Sequence, residues 1–412
     1  MNTALHKDAT YIIHKAISAV MPDQAVQRAL EGRQFPGKLL LVATGKAAWQ
    51  MAKAAQDQLG DRINAGVVIT KYGHIKAPLA CIQCFEAGHP VPDDNSFRAT
   101  EAALELVKGL TTQDTVLFLL SGGSSALFEL PLVKGEVLQD VTNQLLSCGA
   151  DIVQINTIRK RLSRVKGGRF AQLCAPAQVF TIVLSDIIGD PLDMIASGPA
   201  CPDSSSCEDA LAVVRRYGLK LDAATLELLN QETPKALNNV ITQVTGSVKA
   251  LCSAAANTCK DLGYSPVILT DRLCCQAKEA GSFLASILQS HAHTQTPLAF
   301  IAGGETVVKL TGHGKGGRNQ ELALAAAPGI SGLAGTAVFS VGSDGTDGPT
   351  DAAGGYVDHT TFETLSAKGI DVFSVLADND AYSALSACNG LIITGPTGTN
   401  VNDVAVALIK PY

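Results

Sequence analysis

The stretch Ile301-Ala302-Gly303-Gly304-Glu305-Thr306-Val307-Val308-Lys309-Leu310 and its continuation, Thr311-Gly312-His313-Gly314-Lys315-Gly316-Gly317-Arg318-Asn319-Gln320, organise the reading of the whole chain. An apolar run from Pro297 to Ala302 ends in two glycines and a carboxylate. Thr306 to Leu310 reads as a second extended segment, and four glycines crowd the segment Gly312 to Gly317 before an alanine-rich helix. Strand, glycine turn and helix start are the ingredients of an anion site. Glycines let backbone N–H groups approach a ligand, and a helix N-terminus adds partial positive charge. Lys315 and Arg318 place full charges beside it. Gly312-x-Gly314-x-x-Gly317 also matches the dinucleotide fingerprint, although the acid expected on the following strand is not obvious. A flexible hairpin leading into an ordinary helix is the plainer alternative.

Working outward, 412 residues point to two or three domains. Hydrophobic residues make up 46% and charged residues 17%, with 38 glycines, which is the composition of a well-buried α/β protein. The net charge of -6 gives no global attraction to nucleic acid or an anionic membrane, so an anionic ligand needs a local cluster. Eleven cysteines follow no framework, Cys81-x-x-Cys84 lacks a second pair, and a reduced, cytoplasmic setting fits best. No apolar run approaches the roughly 18 residues of a membrane span.

Apolar strands alternate with helical patterns along the chain, which predicts layered α/β domains built on parallel sheets. Strand-like runs end in small-residue turns carrying charge at Gly45-Lys46, Ser121-Gly122-Gly123, Ser185-Asp186, Gly303-Gly304-Glu305, Ser343-Asp344 and Thr394-Gly395. Open parallel sheets bind ligands beyond the carboxyl ends of their strands, so these turns are candidate walls of one cleft. Polar helical sequence from Cys207 to Thr233 closes a first domain over 1–235, completed by 390–412 if the last segment, read as a helix, returns to it. A second domain covers 236–389.

Three groups of residues carry the chemistry. Lys46 follows a buried strand at a helix start, where a cation opposes the dipole unless an anion is nearby. Arg159 to Arg169 packs six basic residues into eleven, ending in Lys166-Gly167-Gly168-Arg169, which reads as a solvated helix face, a nucleic-acid patch or an anion turn. The acids cluster as Asp186, Asp190 and Asp193, then Glu305, then Asp344, Asp347 and Asp351. Oxygen ligands on strand-end loops suit Mg²⁺. Ser121-Gly122-Gly123-Ser124 reads as an anion cradle, with a catalytic serine as the rival, although the G-x-S-x-G elbow is absent. Cations, glycine turns and carboxylates without a nucleophile–base pair point to phosphoryl transfer, which depends on positioning and charge neutralisation.

Taken together, these turns resemble the glycerate kinases that phosphorylate the 2-hydroxyl. The matches are Ser121-Gly122-Gly123-Ser124-Ser125-Ala126-Leu127, Lys166-Gly167-Gly168-Arg169, Leu184-Ser185-Asp186 with Gly189-Asp190-Pro191-Leu192, and Ile195-Ala196-Ser197-Gly198-Pro199. Further along come Gly303-Gly304-Glu305-Thr306, Gly316-Gly317-Arg318-Asn319-Gln320-Glu321, Asp347-Gly348-Pro349-Thr350-Asp351 and Gly395-Pro396-Thr397-Gly398-Thr399-Asn400. They run in order over nearly the whole chain; Ala200, where the family usually has Thr, is a small departure. The resemblance implies an N-terminal Rossmann-like parallel sheet, a C-terminal MOFRL-type α/β domain and an active site in the cleft between them. It implies ATP and Mg²⁺ as cosubstrates and D-glycerate as acceptor, giving 2-phosphoglycerate. Neither nucleic acid nor membrane is expected as a partner, and a homodimer is left open.

On that basis Lys46 and Arg318, with Asp186 and Asp190, are the expected catalytic groups. Asp186, Asp190 and Glu305 are the expected metal ligands. Ser121, Gly122, Gly123, Ser124, Lys166, Arg169, Gly314, Gly316, Gly317, Asn319, Asp347 and Thr397 are the expected substrate- and phosphate-binding set. The competing reading is an NAD(P)H-dependent hydroxypyruvate reductase, which would need the Gly312 fingerprint and a proton donor such as His74, His89 or His313. A non-catalytic phosphate-binding regulator is a third.

Overall fold

The computed structural model describes residues 1–411 and divides into two compact units. One comprises Pro22–Ser185 with Asp190–Thr245. The other comprises Met1–Met21, Asp186–Gly189 and the chain from Gly246 onward.

The first unit holds β1 (Leu39–Thr44), β2 (Ile63–Lys71), β3 (Ile82–Ala87), β4 (Thr115–Leu120), β5 (Gln178–Leu184) and β6 (Val240–Gly246), in the order β3-β2-β1-β4-β5-β6. The pairings β3–β2, β2–β1, β1–β4 and β4–β5 are all parallel. β1 and β4 are buried along their whole length, as expected for apolar runs in a sheet covered on both faces. Strand order reverses between β1 and β4. In an open α/β sheet such a reversal makes a crevice at the carboxyl ends, because the connections leave on opposite faces.

The second unit holds β7 (Ser265–Leu273), β8 (Leu298–Gly304), β9 (Thr336–Gly342), β10 (Gly354–Asp358), β11 (Leu391–Ile392) and β12 (Asp403–Ile409), in the order β11-β10-β9-β12-β8-β7. The expected parallel sheet is found here only in part. β7–β8 is parallel, whereas β12 runs antiparallel to both β8 and β9, and β9–β10–β11 are antiparallel as well. The expected final helix is the strand β12. Its Val-Ala-Val-Ala-Leu-Ile sequence is buried on both faces, where β-branched side chains suit a pleated surface.

β12 therefore does not return to the first unit but occupies the middle of the second sheet. The N-terminal helix Thr3–Ala19 also belongs there. Asn2 caps it, its side chain accepting from the N–H groups of Ala4 and Leu5. Leu5, Ile12, Ile13 and Ile17 pack into the core that contains Leu251, Phe339 and Val406. Each such buried side chain contributes roughly 1.5–3 kcal/mol of transfer free energy. The boundary expected at 235/236 falls at Thr245/Gly246, since β6 still pairs in the first sheet. Thr306–Leu310 is not a regular strand; one parallel bridge, Gln276 to Val307, ties it down. Among the described residues no helix is long and apolar enough to cross a membrane.

Candidate functional site

In the first unit, the chain leaving β1 meets the chain leaving β4 at the strand-order reversal. The Lys46 N–H donates to the Gly122 carbonyl at 2.9 Å, and the Ser121 hydroxyl accepts from the Ala47 N–H at 3.1 Å. The Ser124 hydroxyl donates back to the Ser121 carbonyl. Ser121 and Ser124 are both buried, so their hydroxyls knit the two turns together instead of facing a ligand. Gly123 has φ 88°, and a Cβ there would lie 3.0 Å from the Cδ2 and Nε2 of His89 and 3.3 Å from the Cγ of Lys46. The left-handed backbone favours glycine there, and two side chains converge closely over it.

His74, after β2, reaches the same place: its Nδ1–H donates to the Lys46 carbonyl at 2.8 Å. Burial and the charges of Lys46, Lys71 and His74 hold the His89 imidazole below the usual histidine range. Sequence reasoning set His74 and His89 aside as donors for a different reaction and did not consider Lys71. The signal that could have found them was positional, because all three lie at or just past the carboxyl ends of the neighbouring parallel strands β2 and β3.

The Lys166-Gly167-Gly168-Arg169 segment is not an anion turn. The Lys166 side chain is wholly buried, donates to the carbonyls of Ser125 and Phe128, and lies 3.4 Å from Glu129. Burial pushes its ammonium down to about 8, against the pull of Glu129. Arg169 donates to the carbonyls of Lys160, Arg161 and Ser163, closing the end of the helix Ile152–Arg161. The N–H groups of Gly167 and Gly168 bond the carbonyls of Ser197 and Gly198. Lys160 and Arg161 pair with buried Asp203. Apart from exposed Arg164, the basic run is thus drawn into internal ion pairs and carbonyl contacts and forms neither a solvated face nor a nucleic-acid patch. Sequence could not distinguish these, because burial is decided by what packs over the helix.

In the second unit, the glycine loop after β8 is laced to a turn near residue 379. The Gly312 N–H donates to the Asn379 side chain, the His313 N–H to the Asp378 side chain, the Gly314 N–H to the Asp378 carbonyl and the Lys315 N–H to the Asp380 side chain. These amides serve the protein's own turn, which removes the structural basis for a dinucleotide fingerprint. The start of the helix Arg318–Ile330 is filled in the same way. Asp347 accepts from the Asn319 and Gln320 N–H groups at 3.1 and 2.9 Å. A Cβ on Gly317 would sit 2.2 Å from its carboxyl carbon. Asp347 is therefore the anion at this helix N-terminus, and it takes up the Asn319 and Gln320 amides, while Gly314, Gly316, Gly317 and Asp347 itself line an open pocket. Burial pushes its carboxyl up to about 6.

Arg318 is held on two sides. Its Nε and Nη2 donate to Asp403 at 2.6 and 3.1 Å, and its Nη1 lies 3.1 Å from Glu305. Although burial opposes it, Asp403 keeps the guanidinium above its ordinary range. Asp403 carries no motif in the sequence, and its segment, expected to be a helix, is the start of β12. The Asn402 amide donates both to Glu305 and to the Asp186 carbonyl oxygen. The Thr397 hydroxyl donates to the Ser343 carbonyl at 2.6 Å and so fixes a loop. A pocket of about 860 Å³ opens beside these groups, walled by Val307, Leu310, Glu305, Arg318, Asp344 and Pro349. Among the described residues no group of three or more His, Cys, Asp and Glu side chains is arranged around a metal position. Asp190 belongs to the first unit, with φ 51° and a buried Oδ1 that has no hydrogen-bond partner.

Residues 8–230 match the family described as a domain of unknown function (DUF4147), and residues 298–403 match the MOFRL family. The chain is 52% identical to the D-glycerate 2-kinase of Thermotoga maritima, over 98% of this chain and 99% of that protein. It is 40% identical to the glycerate 2-kinase of Pyrococcus horikoshii, over 97% and 96%. It is 37% identical to an Agrobacterium vitis protein provisionally named a hydroxypyruvate reductase, over 97% and 93%. The crystal structure of the Thermotoga maritima glycerate kinase superposes with a TM-score of 0.95, covering 99% of this chain and all of that one.

Proposed function

Because the chain belongs to the family of glycerate 2-kinases that joins a DUF4147 region to a MOFRL region, we propose that it transfers the γ-phosphoryl group of ATP to the 2-hydroxyl of D-glycerate, giving 2-phosphoglycerate and ADP. The observation that carries this reading is the cationic, glycine-floored turn at the β1/β4 reversal, where Lys46 stands over Gly123 without an acidic partner among the described residues. A carboxylate or a transferring phosphoryl group would supply the missing charge. Lys46 is assigned that neutralising role. Arg318 is assigned to the phosphate end of the nucleotide, acting with the two carboxylates that orient it.

Magnesium needs only one or two protein carboxylates when the triphosphate supplies the remaining oxygens. Asp190 fits, since its buried, unpartnered oxygen calls for a cation. Asp186 and Glu305 fit less well as a pair, because Glu305 is already engaged by Arg318 and Asn402. When bound, the ion would offset phosphate charge. The reductase alternative is not favoured, as the amides of its fingerprint are committed to the turn at 378–380.

The test is positional analysis of the product formed from ATP and D-glycerate. 2-Phosphoglycerate with stoichiometric ADP is expected. NADH oxidation with hydroxypyruvate, without ADP formation, would reverse the assignment.

A further inference from the structure

Beside the reversal between β1 and β4, three segments bring four groups: Lys46 after β1, Lys71 at the end of β2 with His74 just beyond it, and His89 two residues past β3. Among the described residues, only one of these side chains is committed to a hydrogen bond. His74 spends its Nδ1–H on the Lys46 carbonyl. The His89 ring, partly buried over Gly123, where the Lys46 stem also converges, has no hydrogen-bond partner among the described residues. The neighbouring acids are occupied. Asp93 accepts from the Tyr72 hydroxyl and the Gly88 N–H, and Glu86 accepts from the Ile75 N–H while facing His74. The result is a place with two ammonium groups free of acidic partners and one imidazole ring, that of His89, free at both nitrogens among the described residues.

A 2-hydroxy acid matches that arrangement, since its carboxylate and its hydroxyl sit on adjacent carbons. An anion drawn to Lys46 and Lys71 would bring the hydroxyl next to the ring. The geometry points to His89 as the catalytic group that accepts the proton of the acceptor hydroxyl, with Lys46 and Lys71 anchoring the adjacent anion. In that step the 2-oxygen forms its bond to the γ-phosphorus while the bond from phosphorus to the β,γ-bridging oxygen breaks. ADP leaves with that electron pair, and the hydroxyl proton moves to the imidazole. A neutral ring is needed at the outset. Burial and the surrounding positive charges of Lys46, Lys71 and His74 favour that form near neutral pH. This inference rests on the kinase reading above.

The experiment is the pH profile of kcat/KM for glycerate in the wild type, His89→Gln and Lys71→Met. The wild type should lose activity as pH falls through the pKa of His89, which lies below the usual histidine value. His89→Gln should lose at least about a hundredfold in kcat and lack that acid limb. Lys71→Met removes a neighbouring charge, so the ring protonates more easily and the limb should move to higher pH. The Lys71 variant keeps the test alive if His89→Gln fails to fold. The inference is overturned if His89→Gln stays within about threefold with its limb intact, or if Lys71→Met leaves the limb unmoved. It is equally overturned if activity falls as pH rises through this pKa, which would make the ring a charged anchor. A wild type forming no 2-phosphoglycerate from ATP would fail the kinase reading instead, and a working kinase with an unchanged His89→Gln profile would fail only this inference.

Discussion

Lys46 and Lys166 end in the same ammonium group, and both follow or precede a glycine turn, yet their surroundings separate them. Lys166 is enclosed with Glu129, whose carboxylate oxygens have no hydrogen-bond partner beyond that ion pairing. Removing one member of a buried pair strands the other in a medium that solvates charge poorly. Lys166→Ala should therefore cost about 3–5 kcal/mol of stability, read from denaturant midpoints, whereas a surface-like cost below about 1 kcal/mol would show that the pair is not desolvated. Lys46 should behave in the opposite way. Lys46→Ala is expected to keep the thermal midpoint of the parent and lose about a hundredfold in kcat, and Arg318→Ala to lose a similar factor. A loss under about tenfold, ~1.4 kcal/mol, would remove that residue from the chemical step.

At the scale of elements, the helix Arg318–Ile330 is where a motif and its use part company. A glycine loop before a helix start is a sound signal for an anion, and an anion is there, but it is the Asp347 carboxylate. The sequence shows the socket and cannot show that a residue from a distant loop fills it. The pH consequence has a definite sign. Burial raises the folded-state pKa from 3.8 to about 6, so the ionised acid penalises the fold at neutral pH and the penalty is relieved as the acid protonates. The step from 3.8 to about 6 corresponds to ~3 kcal/mol at most. Between pH 7 and pH 4 the wild type should gain that contribution relative to Asp347→Asn, measured by urea unfolding at each pH. Parallel stability profiles for the two proteins would exclude it.

Across the whole molecule, chain order and spatial membership diverge. The first residues and the last strand belong to the same unit, and β12 is its central strand, paired on both sides. Truncation after Asn400 should leave β8 and β9 without their shared partner and unfold that unit. Limited proteolysis is then expected to spare a core from Pro22 to Thr245 and to digest the N-terminal helix. Survival of the helix Thr3–Ala19 would refute this. Alternating apolar runs, their lengths and their glycine ends were enough to read an α/β protein, its buried strands β1 and β4 and the helix starts after them. Those features are local, set by side-chain periodicity and by backbone freedom at glycine. Strand direction in the second sheet, the domain boundary, the burial of the basic run and the carboxylate filling the helix start were decided only by the tertiary structure. Each depends on which distant segment packs against a given one, and a run of apolar residues carries no information about its partner.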